Sequence, residues 1–221
     1  MLLSQGGAFE NCACRTGSEM SENPDVSGFV LAGGHSRRMG HDKAYLEVNG
    51  EPLLLRAVNL LKAYARSVTV LGPRDRYESF GVPVLPDQWP GQGPLGALVT
   101  GLENSANDWN VFLACDLPLL NKRFVELLLQ AIPSDKLDAV VPRTGRGWHP
   151  LSAAYSRTCV APMRSAMEKK DLAVINVLPH LRMDVITSER LTKAGLAEEV
   201  LENVNSPADW QRVLRRMRLR V

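Results

Sequence analysis

The stretch from Phe29 to Lys43, Phe-Val-Leu-Ala-Gly-Gly-His-Ser-Arg-Arg-Met-Gly-His-Asp-Lys, constrains the fold of this 221-residue chain more than any other. A short apolar run from Gly28 to Ala32 reads as a buried strand, and it breaks into two glycines, a basic pair, a further glycine and a lysine. Glycines at that point let the backbone approach a charged ligand, and successive N–H groups in such a turn form an anion-binding concavity. Arg37, Arg38 and Lys43 add mobile positive charge: guanidinium forks match phosphate oxygens, and the ammonium acts as a compact point charge. The stretch predicts a phosphate cradle at the end of a strand. It is neither a P-loop nor a G-x-G-x-x-G turn, since His41 and Asp42 separate Gly40 from Lys43.

Beyond Lys43 the chain alternates between strand and helix patterns. Residues 45–50 read as a short strand closed by Asn-Gly, and Pro52 opens a helix carrying Leu54, Leu55, Val58 and Leu61. Residues 67–71 and 82–85 are β-branched runs stopped by Gly72-Pro73 and Pro86-Asp87, and the first of them should end beside the glycine turn. Strands separated by helices of this length imply right-handed parallel crossovers. The expected fold is a three-layer α/β/α, Rossmann-like arrangement with a mostly parallel central sheet and ligands at the strands' carboxyl ends.

Three later segments reach the same edge. Asp87 opens a Pro- and Gly-rich loop before a helix at Leu95, and its carboxylate can serve a ligand or simply hold a turn. Asp116 ends the apolar strand that starts at Asn110, where a hard cation beside a triphosphate would need a carboxylate. Mg²⁺ takes few protein carboxylates, so one aspartate suffices, and Asn121 is the better cap for the next helix. After a strand at 139–141, residues 142–150 form a polar, glycine-rich loop with Arg143, Arg146, Trp148 and His149, suited to a flat, phosphorylated ligand or to plain exposure.

The remainder reads as structural. Residues 156–178 are helical with a break near Asp171, Met163 and Met167 fill core, and 183–186 form a late strand. Ser206 caps the last helix with Pro207 at its first position, which leaves Asn203 and Asn205 free. The basic run from Arg212 to Arg220 reads as a solvated helix face favoured by the helix's C-terminus.

With 45% hydrophobic residues, positions 26–221 suit a single domain, whereas 1–25 lack apolar periodicity and read as a disordered extension. A net charge of +2 gives no global field for nucleic acid or membrane. Without a transmembrane run or a signal-peptide pattern, a cytoplasmic location is expected. Cys12, Cys14, Cys115 and Cys159 suggest neither a structural disulfide nor a zinc site.

The segment Leu31-Ala-Gly-Gly-His-Ser-Arg-Arg-Met-Gly-His-Asp-Lys-Ala44 resembles the signature of the molybdenum cofactor guanylyltransferases, nucleotidyltransferases that transfer GMP from GTP to molybdopterin. The likeness runs from Gly28 to Trp210, through the Cys115-Asp116 dipeptide with Pro118, His149-Pro150 and the Asn203-Val-Asn205-Ser-Pro207 segment. It implies a nucleotide site of Leu31, Ala32, Gly33, Gly34, Lys43, Asp87 and Asp116, with Mg²⁺ on Asp116 and catalysis by Arg37, Lys43 and Asp116. It implies acceptor contacts from Arg143, His149, Asn203 and Asn205, and delivery to molybdoenzymes or their chaperones. Gly33, where cytidylyl relatives typically carry alanine, favours guanine. Leu71 departs from an asparagine the family often has at that point, and a leucine cannot make its hydrogen bond to the nucleotide. A transferase using CTP or a sugar-phosphate acceptor, or a non-catalytic nucleotide-binding module, are the rival readings.

Overall fold

The computed structural model describes residues 25–33, 42–132 and 136–218. Residues 1–24, with Cys12 and Cys14, lie outside that description, as do residues 34–41, with Gly34, Arg37 and Arg38.

The apolar runs form the expected strands. In chain order these are β1 Val26–Leu31, β2 Glu47–Val48, β3 Glu51–Pro52, β4 Ser67–Leu71, β5 Val84–Leu85, β6 Trp109–Ala114, β7 Ala139–Thr144, β8 Gly147–Trp148, β9 Ala153–Ser156 and β10 Met183–Thr187. Between them lie α1 Leu53–Lys62, α2 Arg74–Tyr77, α3 Gly93–Glu103, α4 Lys122–Gln130, α5 Val160–Glu168, α6 Val174–Val177, α7 Ser188–Lys193 and α8 Pro207–Arg218. The main sheet has the order β10-β7-β9-β6-β1-β4-β5, with β8 paired to β7.

β1 pairs in parallel with β4 and β6, β4 with β5, and β7 with β10. β9 alone among the main-path strands runs against its neighbours, β6 and β7. The segment from Thr144 to Ala153 is too short for a helical crossover, so the chain must return antiparallel. The ends of β1, β4, β5, β6 and β7 consequently share one edge.

Period-two alternation divides the core into two layers. Val26, Val30, Val70, Val111 and Leu113 pack with α1, α4 and α7, whereas Phe29, Leu71, Phe112 and Tyr155 pack with α3, α5 and α6. Met163 and Met167 belong to the second layer.

Local details differ where proline or pairing intervenes. The strand expected over 45–50 is a 3₁₀ turn, Lys43–Tyr45, then a two-strand ribbon, β2–β3, closed at Asn49-Gly50 with φ of 54° and 78°. Only residues 84–85 of the run 82–85 pair with β4, since Pro83 offers a carbonyl but no N–H. The loop expected over 142–150 is largely a hairpin, with Arg143 opposite Trp148 and Thr144 opposite Gly147.

Candidate active site

The site begins where β1, β4 and β6 end together. Ala32 N donates to Leu71 O at 2.9 Å and Cys115 N to Leu31 O at 3.1 Å, carrying the sheet's hydrogen bonds one residue past the strands. The glycine turn and the end of β4 are pressed together. Gly33 has φ of +112°, and a Cβ there would lie 2.9 Å from Pro73 Cδ. A Cβ on Gly72 would lie 2.5 Å from Ala32 O. Each glycine is required by the other segment's backbone or proline ring.

Lys43 stands on a rigid footing. Asp42 Oδ1 accepts from Ala44 N at 3.1 Å, capping the 3₁₀ turn, and Asp42 Oδ2 accepts from the fully buried Tyr77 hydroxyl at 2.8 Å. Burial, reinforced by that bond to Asp42, pushes the Tyr77 phenol far above its ordinary range, so it remains a donor. Lys43 Nζ then donates to Asp116 Oδ2 at 3.2 Å and to Asn205 Oδ1 at 2.7 Å.

Asp116 is held from the far end of the chain. Asn203 Nδ2 donates to its Oδ1 at 3.3 Å and Val204 N to its carbonyl at 3.0 Å. Asn205 N donates to Asp209 Oδ2 at 3.1 Å, and Ser206 Oγ accepts from Asp209 N at 3.2 Å, so the cap of α8 also sets the asparagine segment. Asn121, not Asp116, caps α4, through Phe124 N at 3.3 Å. Lys43, Asp116, Asn203 and Asn205 form one connected cluster, and both members of the Lys43–Asp116 pair keep access to solvent, at 16% and 19% side-chain exposure. Burial, and then the nearby Asp116 and Asp42 carboxylates, drive the Cys115 thiol well above its ordinary range, leaving a neutral packing residue.

Asp87 lies at the same edge without bonding to that cluster among the described residues. Its Oδ1 accepts from Trp89 N at 2.9 Å and from Thr100 Oγ1 at 3.1 Å, which ties the loop to α3. The turn-holding role is therefore real for one oxygen. Leu71 is 1% exposed within the second core layer, so an asparagine's absence there leaves no gap at the site surface.

The β7–β8 hairpin supplies the other predicted residues. The Arg143 guanidinium lies over the Trp148 ring at 5.2 Å, and His149 Nε2 is 2.8 Å from Thr144 Oγ1. Burial, and next the Arg146 charge, lowers the His149 pKa, and Glu198 opposes them. Neither Arg143 nor His149 touches Asp116; the link runs through residues 198–205. Gly145 N donates to the Glu198 carboxylate at 3.3 Å, and Arg146 pairs with Glu202 at 3.4 Å.

Glu202, which sequence reasoning missed, also receives Arg212 Nε at 3.1 Å and Arg216. The solvated-face reading of the basic tail is thus corrected for Arg212 and Arg216, which serve a buried carboxylate. Their four-residue spacing on α8, close behind an acidic residue, was the available signal.

Chemically, the cluster offers an ammonium and a carboxylate with both its oxygens and its carbonyl already oriented. Among the described residues no group of three or more His, Cys, Asp or Glu is placed to hold a metal ion. Within the cluster the Asp116 carboxylate, its oxygens held by Lys43 and Asn203, has the oxygen chemistry that Mg²⁺ takes, and that ion needs only one or two carboxylates beside phosphate oxygens and water.

Residues 28–181 match the family described as the MobA-like NTP transferase domain. A protein of Synechococcus elongatus named a probable molybdenum cofactor guanylyltransferase is 38% identical over 207 residues, covering 85% of this chain and 97% of the relative. The molybdenum cofactor guanylyltransferase of Vibrio atlanticus is 33% identical over 187 residues, covering 77% and 95%. The crystal structure of molybdopterin-guanine dinucleotide biosynthesis protein A from Archaeoglobus fulgidus superposes with a TM-score of 0.73 at 20% identity, covering 84% of this chain and 95% of that one. At that identity the likeness is one of fold.

Proposed function

The chain belongs to the MobA-like NTP transferase family and is a nucleotidyltransferase, and from that premise we propose that it transfers GMP from GTP to molybdopterin. The terminal phosphate of molybdopterin attacks the α-phosphorus in line, the bond from α-phosphorus to the bridging oxygen breaks, and pyrophosphate leaves. The product is molybdopterin guanine dinucleotide, passed on to molybdoenzymes or their chaperones. The observation that carries the reading is the Lys43–Asp116–Asn203–Asn205 cluster at the carboxyl edge of the sheet.

Lys43, anchored through Asp42 and Tyr77, offers fixed positive charge to the departing pyrophosphate, and Arg37 adds to it. A Mg²⁺ ion on Asp116 would neutralise charge on the α-phosphate. Asn203 and Asn205 keep the carboxylate and the ammonium from collapsing into other pairings. The nucleophile is already an anion, so no general base is needed, and catalysis rests on positioning and electrostatics. Leu31, Ala32, Gly33 and Gly34 line the nucleotide, and the Asp87 oxygen that is not tied to α3 accepts from base or ribose. Arg143 and His149 receive the acceptor.

Among the described residues no helix is long and apolar enough to cross a membrane. We place the reaction in the cytoplasm, with residues 26–221 acting as one domain.

Titration with GTP, CTP, ATP and UTP in the presence of Mg²⁺, monitored by thermal shift, tests the reading. At one hundred times its Kd a ligand stabilises by about 2.7 kcal/mol, which for a chain of this size raises the midpoint by about 5–10 °C. GTP should give that rise, and Lys43→Ala should abolish it. A larger shift with CTP would replace the guanylyl reading by a cytidylyl one, and no shift with any nucleotide would sink it.

A further inference from the structure

Glu202 takes no part in the chemistry above, yet it is 3% exposed and bears a charge. A carboxylate at that depth is tolerated only when paired and hydrogen-bonded. Here three guanidinium groups supply the pairing. Arg146 comes from the β7–β8 hairpin, and Arg212 and Arg216 come from successive turns of α8. All three converge on Glu202, one of them, Arg212, shared with Asp209, and two of them divide between Oε1 and Oε2 as hydrogen-bond donors. Planar donors approaching both oxygens from two separate elements leave the carboxylate little freedom to rotate or shift.

The residues just after Glu202 carry that constraint straight into the site. Asn203 donates to Asp116 Oδ1, Val204 N donates to Asp116 O with its side chain fully buried, and Asn205 accepts from Lys43. The residues before it reach the hairpin, since Glu202 N donates to Glu199 O at 2.9 Å and Glu198 accepts from Gly145 N. A displacement of Glu202 would therefore move both asparagines.

We propose that Glu202 is a positioning residue, which locks the 203–205 segment in register so that Asn203 and Asn205 orient Asp116 and Lys43. The proposal rests on the reading of Lys43 and Asp116 as the reacting pair. It also assigns a purpose to Arg212 and Arg216 of α8: they hold the segment from outside the site.

The test compares Glu202→Gln, which keeps shape and removes charge, with Asn203→Ala and the double variant. In the ligand-free protein, the side-chain amide ¹H–¹⁵N signals of Asn203 and Asn205 should shift in Glu202→Gln. With GTP, Mg²⁺ and molybdopterin, kcat should fall by at least about tenfold while KM for GTP stays within about twofold, since misplacement of about 1 Å can cost about 100-fold in rate. If Glu202 acts through Asn203, the double variant should be no slower than Asn203→Ala alone. Unmoved amide signals in a folded Glu202→Gln protein, or kcat losses that multiply in the double variant, would overturn the proposal. Should Glu202→Gln fail to fold, Arg216→Gln removes one donor from a partly exposed site and should move the same signals less far; unmoved signals there would count equally against it. Absence of pyrophosphate release by the wild-type protein would defeat the functional reading, and the amide signals would still decide the role of Glu202.

Discussion

Gly72→Ala places one methyl group where two loops and a buried ring meet. The new Cβ would lie 2.5 Å from Ala32 O, 3.1 Å from Ala32 C and 2.8 Å from Tyr77 Cε2. Relief requires a movement of about 0.8 Å or more, since carbon contacts are comfortable only near 3.5 Å. Neither neighbour yields easily. The Ala32 peptide is held by its N–H bond to Leu71 O, Gly72 N donates to Leu85 O at 3.1 Å, and Tyr77 is fully buried with its hydroxyl on Asp42. Overpacking costs about 1–3 kcal/mol, and two stiff partners place this case in the upper half, about 2–3 kcal/mol. At about 2–4 °C per kcal/mol for a chain of this size, the unfolding midpoint should fall by about 4–12 °C. Whichever side gives way, the glycine turn or the Asp42 anchor of Lys43 is displaced, and GTP affinity should drop about tenfold, equivalent to about 1.4 kcal/mol. Thermal unfolding by circular dichroism, with and without GTP and Mg²⁺, reads both effects. An unchanged midpoint with wild-type affinity would refute the claim that the two loops are locked through this glycine.

Two further predictions concern protons. His149 is held neutral by burial and then by Arg146, so its folded pKa lies below the unfolded value of about 6.5. The unfolded chain takes the proton first, and this group's contribution to stability declines as pH falls from about 6.5 through the folded pKa. An NMR titration of the imidazole should give a midpoint below that of a free histidine, moved upward in Arg146→Ala; a midpoint at or above about 6.5 in the wild-type protein would contradict the burial argument. At the opposite edge of the sheet, Asp138 accepts from Arg182 N, Nε and Nη2 at 2.9–3.0 Å and from Thr158 Oγ1 at 2.8 Å. The Arg182 bonds, opposed by burial, hold its carboxyl far below the usual range. Its stabilisation is present above the unfolded pKa of about 4 and is lost as pH falls toward the folded value. Asp138→Asn should therefore be less stable than wild type at neutral pH in urea unfolding, with the gap narrowing in acid. A gap that stayed constant with pH would assign the loss to packing instead.

Much of the sheet and part of the site can be read along the chain. The apolar run ending at Asp116 places a carboxylate at a strand's carboxyl end, Asn121 and Ser206 announce their caps, and Gly33 marks a close approach. The hairpin over residues 143–148 reads as a loop because each paired run is two residues long, below the reach of any alternation pattern. Glu202 gives little signal because its partners belong to other elements, and without it the basic tail looks solvated.

By itself the sequence determined most of the longer strands and helices, the Asn121 and Ser206 caps and the chemical character of the glycine turn, because periodicity, propensity and capping act within about four residues. Only the tertiary structure decided that Lys43 meets Asn205 across 162 positions, that β9 turns back against β6 and β7, and that three arginines close on Glu202. Those contacts depend on how two helical layers seat on one sheet, and a charge finds its partner only after that packing has brought the elements together.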